Sequence, residues 1–184
     1  MKTEADLITR LRNPNPKKKE EAFSELLDLY QQRLYWHIRK IVLTHENTDD
    51  VLQNTFLRIF RGIQSFQGKS SLLTWMYRIA YNESLRFLEK NKQANATRSI
   101  EDSGHLEILT EDPYFDGDEV KLKLHAVVSE LSEKQRRVFQ LKYFDNLRFH
   151  EISEILGVSE STLKSSYYSA VKIIEQRMVA KLAQ

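Results

Sequence analysis

Between Phe23 and Ile41 the apolar residues Phe23, Leu27, Tyr30, Leu34, Ile38 and Ile41 recur every third or fourth position. That period places them along one side of a helix and turns the intervening charges outward. Pro14 and Pro16, just ahead, separate this long helix from a short one at the N-terminus. The stretch THENTDD breaks the pattern. It predicts Thr48 as the N-cap of a third helix, with Asp49 and Asp50 in a first turn where the helix dipole favours them. Leu52, Phe56, Ile59, Phe60 and Ile63 form its apolar side, which runs to about Phe66. SFQGKSS reads as a short loop. A fourth helix follows from about Ser71 to Lys92, with Leu73, Met76, Ala80, Phe87 and Leu88 toward a core. No useful length of chain alternates apolar with polar residues, and 5 Gly and 3 Pro supply little turn chemistry. The fold class is all-α.

Residues 93–119 have neither helical period nor core composition and read as a flexible acidic linker. Beyond them, Ser132 and Gln135 have capping-box spacing and start a helix that turns Val138, Leu141 and Phe144 inward. EISEILGVSESTLKSSYYSA, Glu151 to Ala170, has the form of a helix-turn-helix. Gly157 stands at the reversal and Ser159 is placed to cap the second helix. Leu163, Tyr167, Ala170 and Ile174 form a stripe that packs on Ile152, Ile155 and Leu156. The opposite face carries Ser161, Thr162, Lys164, Ser165, Tyr168 and Lys172. In a DNA reader, such hydroxyls serve bases and phosphates while the lysines neutralise phosphates. An antiparallel helix pair with a polar outer face is the plainer alternative. The layout is two small helical domains, 1–92 and 120–184, joined by 93–119.

Charge distribution sharpens this picture. The net charge is only +2, but 1–92 carries 16 Lys/Arg against 11 Asp/Glu, 93–119 carries 1 against 8, and 120–184 carries 11 against 7. Two basic blocks around an acidic strip suit a polyanionic partner. There is no cysteine, which excludes disulfides and thiolate metal sites. His37, His45, His105, His125 and His150 lack ligand spacing, so no metal or other cofactor is expected. No phosphate-binding glycine loop or nucleophile motif appears, and no catalytic residues are expected. The charged N-terminus and the lack of a long apolar run predict a cytoplasmic protein without membrane insertion.

The segment from Ser65 to Lys90 interleaves aromatics with arginines. With Leu73, Met76 and Ala80 inward, Trp75, Tyr77 or Arg78, Tyr81, Asn82 and Arg86 fall toward solvent. Aromatics beside arginines can stack unpaired bases while holding their backbone, a surface suited to single-stranded or opened DNA. The alternative is that Trp75 and Tyr77 are core aromatics with Arg78 snorkelling past them.

DDVLQNTFLRIFRGIQSF followed by SSLLTWMYRIAYNESLRFL resembles the second conserved domain of bacterial RNA polymerase sigma factors. LSEKQRRVFQLKYFDNLRFHEISEILGVSESTLKSS resembles their fourth. Both blocks in this order, with a short acidic linker between them, resemble the extracytoplasmic-function subfamily. The resemblance implies a non-enzymatic factor that binds core RNA polymerase, directs it to promoter DNA and helps melt the start region. It assigns polymerase binding to Asp50, Gln53, Asn54 and Phe56. It assigns the minus-ten element to the loop Gln67–Ser70, Lys69 and Ser70 included, and to Trp75, Tyr77, Arg78, Tyr81, Asn82 and Arg86, the loop receiving a flipped base. The minus-thirty-five element falls to Ser161, Thr162, Lys164, Ser165, Tyr168 and Lys172. It also implies an anti-sigma factor as partner. There are departures. Ser166 and Ser169 stand where recognition helices of the family commonly carry arginines, and Asn54 stands where an acidic residue is frequent. Fewer cationic phosphate contacts imply weaker binding to closed duplex.

Overall fold

A computed structural model describes residues 3–94 and 119–182. The chain divides into two compact units, Met1–Gln93 and Ala94–Gln184. The expected linker falls almost wholly on residues 95–118, outside the described ones. All regular elements among the described residues are helical.

In the first unit, α1 spans Glu4–Leu11, α2 Pro16–Val42, α3 His45–Gly62 and α4 Leu72–Ala94. Thr3 caps α1 by accepting from the Asp6 N–H at 3.2 Å, and Leu7 and Leu11 are buried on its inner face. Asn15 caps α2, with Pro16 in the first turn where its missing N–H costs nothing. The buried face of α2 is displaced from the expected one. Ala22, Leu26, Leu34, His37, Ile38 and Val42 are buried, whereas Phe23, Leu27, Tyr30 and Ile41 lie at the flanks. Counting only large apolar residues missed Ala22 and His37, which occupy the centre of the stripe.

The start of α3 is also corrected. Thr44, not Thr48, is its N-cap, accepting from the Asn47 N–H at 3.3 Å. Thr48 is fully buried one turn later, its hydroxyl donating to the Thr44 carbonyl at 2.6 Å. Both threonines precede acidic residues, so local spacing alone did not separate them. The α-helix ends at Gly62, and a 3-10 turn, Ile63–Ser65, carries the chain to Phe66. Phe60 is a rim residue, edge-on to Phe23 at 5.0 Å with the Lys19 ammonium 4.0 Å above its ring. In α4, Leu72, Met76, Tyr77, Ala80 and Tyr81 are buried, while Leu73, Phe87 and Leu88 are half-buried.

In the second unit, α5 (Glu119–Ser129) was not anticipated from the sequence. Its Val127 and Val128 join Leu131, Phe139, Ala170 and Ile174 in the core. The Ser132–Gln135 capping box is present and opens α6 (Glu133–Phe139). A π-helical stretch, Gln140–Phe144, continues it and closes with the Asp145 N–H donating to the Gln140 carbonyl at 3.1 Å. Val138 and Leu141 are buried, and Phe144 is half-buried. Then come α7 (Phe149–Leu156) and α8 (Glu160–Leu182).

Candidate nucleic-acid interface

The turn between α7 and α8 has the geometry its sequence demands. Gly157 adopts φ +68°, a left-handed conformation that a side chain would strain, and its N–H donates to the Ser153 carbonyl at 2.9 Å. Ser159 accepts from the Thr162 N–H at 3.3 Å and caps α8. Ile152, Ile155, Leu163, Ala170 and Ile174 are buried, so α7 and α8 close on an apolar seam as expected. Ser161, Thr162, Lys164, Ser165, Tyr168 and Lys172 are all exposed. Two of the hydroxyls are partly engaged, since Ser159 Oγ lies 3.1 Å from Ser161 Oγ and 2.9 Å from Thr162 Oγ1. Lys164 reaches back to Glu160 at 3.6 Å, an exposed pair that DNA phosphate can outcompete at little cost. Tyr168, 64 % exposed, is a large apolar side chain left without cover on this face.

In the first unit the loop between the 3-10 turn and α4 exposes Gln67, Gly68 and Lys69, with Ser70 half-buried. Gly68 takes φ +68° and has open space where a Cβ would stand. Ser71 starts α4, its hydroxyl accepting from the Thr74 N–H at 3.1 Å. Trp75 is half-buried at the mouth of this loop. Its ring lies 5.1 Å from that of Phe66, and Gly62 leaves room for its edge. Arg78, Asn82 and Arg86 follow at four-residue spacing, and all three are exposed.

Two expected members of that surface are corrected. Tyr77 is 1 % and Tyr81 7 % exposed, both turned into the core. Tyr77 meets the buried His37 ring edge-on at 4.7 Å. Helical spacing allowed either Tyr77 or Arg78 to face outward, and the apolar ring took the inside. The core-aromatic alternative therefore holds for Tyr77, whereas Trp75 sits between the two readings.

On α3, Asp50, Gln53 and Asn54 are exposed, but Phe56 is buried, with its ring edge-on to Phe23 at 6.2 Å. Leu57, 46 % exposed, is the apolar residue on their face instead. Sequence reasoning also passed over Glu83. It is 9 % exposed and receives Arg58 at 2.6 Å and Arg86 at 2.5 Å, bridging α3 and α4. The i,i+3 spacing to Arg86 was the one local signal for it. A shallow cleft of about 430 Å³ opens beside it, lined by Asn54, Leu57, Arg58, Arg61, Gly62 and Glu83.

Comparison with known proteins follows the same division. Residues 26–94 match the family model described as Sigma-70 region 2, and residues 121–174 match Sigma-70 region 4. The ECF RNA polymerase sigma factor SigW of Bacillus subtilis is 25% identical over 170 residues, covering 86% of this chain and 90% of that protein. The ECF RNA polymerase sigma-E factor of Haemophilus influenzae is 26% identical over 185 residues, covering 96% and 95%. The chain belongs to the extracytoplasmic-function sigma factors. The fold agrees with that of the sigma factor RpoE, solved with the anti-sigma factor NepR from Bartonella quintana. The TM-score is 0.70 at 21% identity, over 85% of this chain and 96% of that one.

This sigma factor thus acts in transcription initiation with RNA polymerase, and its relatives are DNA-binding regulators rather than catalysts. The region 2 match begins at residue 26, so α1 and the front of α2 lie ahead of it. Among the described residues, no helix is long and apolar enough to cross a membrane.

Proposed function

We propose that this sigma factor binds core RNA polymerase, carries it to a subset of promoters and takes part in melting the start region. The supporting observation is the half-buried Trp75 ring beside Phe66, at the mouth of the exposed loop Gln67–Lys69 and leading into the stripe Arg78, Asn82, Arg86. Stacking on an aromatic face is possible only for a base that has left the duplex. A ring next to a loop with open space, followed by the exposed cations Arg78 and Arg86 on one stripe with Asn82, suits a strand already opened. In this reading Lys69, Ser70, Trp75, Arg78, Asn82 and Arg86 meet the minus-ten element, while Tyr77 and Tyr81 hold the helix from its core side. Asp50, Gln53, Asn54 and Leu57 form the polymerase-docking stripe of residues 1–92, with Leu57 in the place first given to Phe56.

Residues 120–184 recruit the duplex at the minus-thirty-five element through Ser161, Thr162, Lys164, Ser165, Tyr168 and Lys172. Polymerase performs the chemistry, and the protein acts in the cytoplasm, where that polymerase works. RpoE is solved with an anti-sigma factor, which supports a sequestering partner of that class here.

The test is permanganate reactivity of unpaired thymines on a promoter transcribed by the reconstituted holoenzyme. Trp75→Ala should lower that reactivity while polymerase capture and closed-complex formation persist. Full opening by a folded Trp75→Ala protein would sink the melting role.

A further inference from the structure

The loop proposed to receive the flipped base is held at both ends by one short helix that lies ahead of the family match. Glu4, in the first turn of α1, accepts a hydrogen bond from the Leu72 N–H at 3.0 Å. Arg12, the C-cap of the same helix, donates from Nε to the Ile63 carbonyl at 3.1 Å and from a terminal nitrogen to the Phe66 carbonyl. Glu4, Ile8 and Arg12 are four residues apart, so Glu4 and Arg12 stand on one stripe roughly 12 Å apart. Leu7 and Leu11, buried beside them, anchor that stripe to the core. The charges match the ends they touch. An anion caps the N-terminus of α4, where free N–H groups gather, and a cation caps carbonyls at the end of the 3-10 turn. Between these two clamps lie only Gln67 to Ser71, with Gly68 in its left-handed conformation and nothing packed over it.

We propose that Glu4 and Arg12 are positioning residues for promoter opening: α1 holds the ends of the loop at a set separation, so that its exposed middle is preformed for an unpaired base. Without the clamps the loop samples many conformations, and ordering it must draw on the binding energy of the base. The inference rests on the minus-ten reading of the loop given above. It gives α1 a role, since both clamp residues bond to backbone atoms at the ends of the loop.

The experiment measures base discrimination by the full-length protein in complex with core polymerase. The probe is a fluorescent single-stranded oligonucleotide carrying the non-template minus-ten strand of a promoter the holoenzyme transcribes. It is compared with the same strand made abasic at each position in turn. The unmodified protein should prefer the intact strand by at least about fivefold at one position, the lower end of what one stacked base contributes. Glu4→Ala and Arg12→Ala should each collapse that preference to below about twofold. Affinity for the abasic strand and competition for core polymerase should remain unchanged.

Equal weakening of both strands would mean a general structural role and overturn the proposal, as would variants that keep the full preference. Absence of any preference in the unmodified protein would instead strike the loop reading itself, so the two failures are distinct. Should Arg12→Ala not fold, Glu4→Ala decides the matter. Glu4 is exposed at the start of α1, and hydrogen exchange at the Leu72 amide then reports whether its clamp has been released.

Discussion

Gln135 Nε2 donates to Ser169 Oγ at 3.1 Å, tying the start of α6 to the exposed face of α8. The same side chain completes the capping box, its Oε1 accepting from the Ser132 N–H at 3.3 Å. Ser169, which stands where the family commonly has an arginine, therefore has a partner inside its own unit. Ser169→Ala should lower the stability of this unit by about 0.5–1.5 kcal/mol, the net worth of one hydrogen bond. Holoenzyme recruitment to duplex promoters should change little. Ser169→Arg should instead steepen the salt dependence of DNA binding by nearly one counterion, read from the slope of log K against log salt concentration.

Gly62 offers a way to move Trp75 without removing it. A Cβ at this position would stand 3.3 Å from Trp75 Cζ2, close enough that the indole must shift by a few tenths of an ångström. The glycine is helical, so Gly62→Ala gains up to about 1 kcal/mol of helix propensity. We expect a protein at least as stable to heat as the parent, yet slower in promoter opening by permanganate footprinting. Tryptophan fluorescence in a Trp36→Phe background should report the shift. Unchanged opening with a shifted spectrum would show that the position of the indole does not matter.

Much of this architecture was legible because it depends on local chemistry. Gly157, Ser159 and the Ser132–Gln135 pair act through hydrogen bonds to their own neighbours, and each stands where its spacing predicted. The exposed face of α8 follows from one stripe of apolar residues opposite it. What was not legible is decided by tertiary packing. Tyr77 and Arg78 are adjacent and helical spacing allowed either to face inward; Tyr77 does so, its ring meeting His37 across the core. Phe56 stood on the apolar side of α3 by its spacing, and the structure buries it there against Phe23; only the resemblance had given it to polymerase. The clamps from Glu4 and Arg12 span 68 and 54 residues of sequence and carry no local signature. Helix α5 escaped notice because it begins at the edge of an acidic strip whose composition dominated the reading.

Glu83 should prove more important to the fold than any exposed residue of α4. Its carboxylate is nearly buried and receives both Arg58 and Arg86, whose side chains stay more than half exposed. Glu83→Ala removes the bridge between α3 and α4 but leaves its arginines free to solvate. The expected loss is about 1–3 kcal/mol, measured by denaturant unfolding of the full-length protein. Arg86 also loses its tether, so discrimination between opened and closed templates should weaken beyond what stability explains. A stability loss below the range for one charged hydrogen bond would show that the pair contributes no more than a surface contact.

Two aromatic residues two positions apart on α4 should fail in opposite ways. Tyr77 is 1 % exposed and packs edge-on against His37, whereas Trp75 keeps part of its ring in solvent. Tyr77→Ala deletes a core aromatic and should cost about 3–5 kcal/mol, a large share of the stability of a small helical unit. Tyr77→Phe keeps the ring and should retain most of it. Trp75→Ala should cost less, because its indole rests on Phe66 and Gly62 at the rim. The functional effects should run the other way. Below its melting temperature Tyr77→Phe should open promoters nearly as well as the parent, and folded Trp75→Ala should not. Thermal unfolding and permanganate reactivity on the same preparations separate these outcomes. If Tyr77→Phe loses opening while keeping its melting temperature, the Tyr77 hydroxyl has a role in DNA handling that its burial does not suggest.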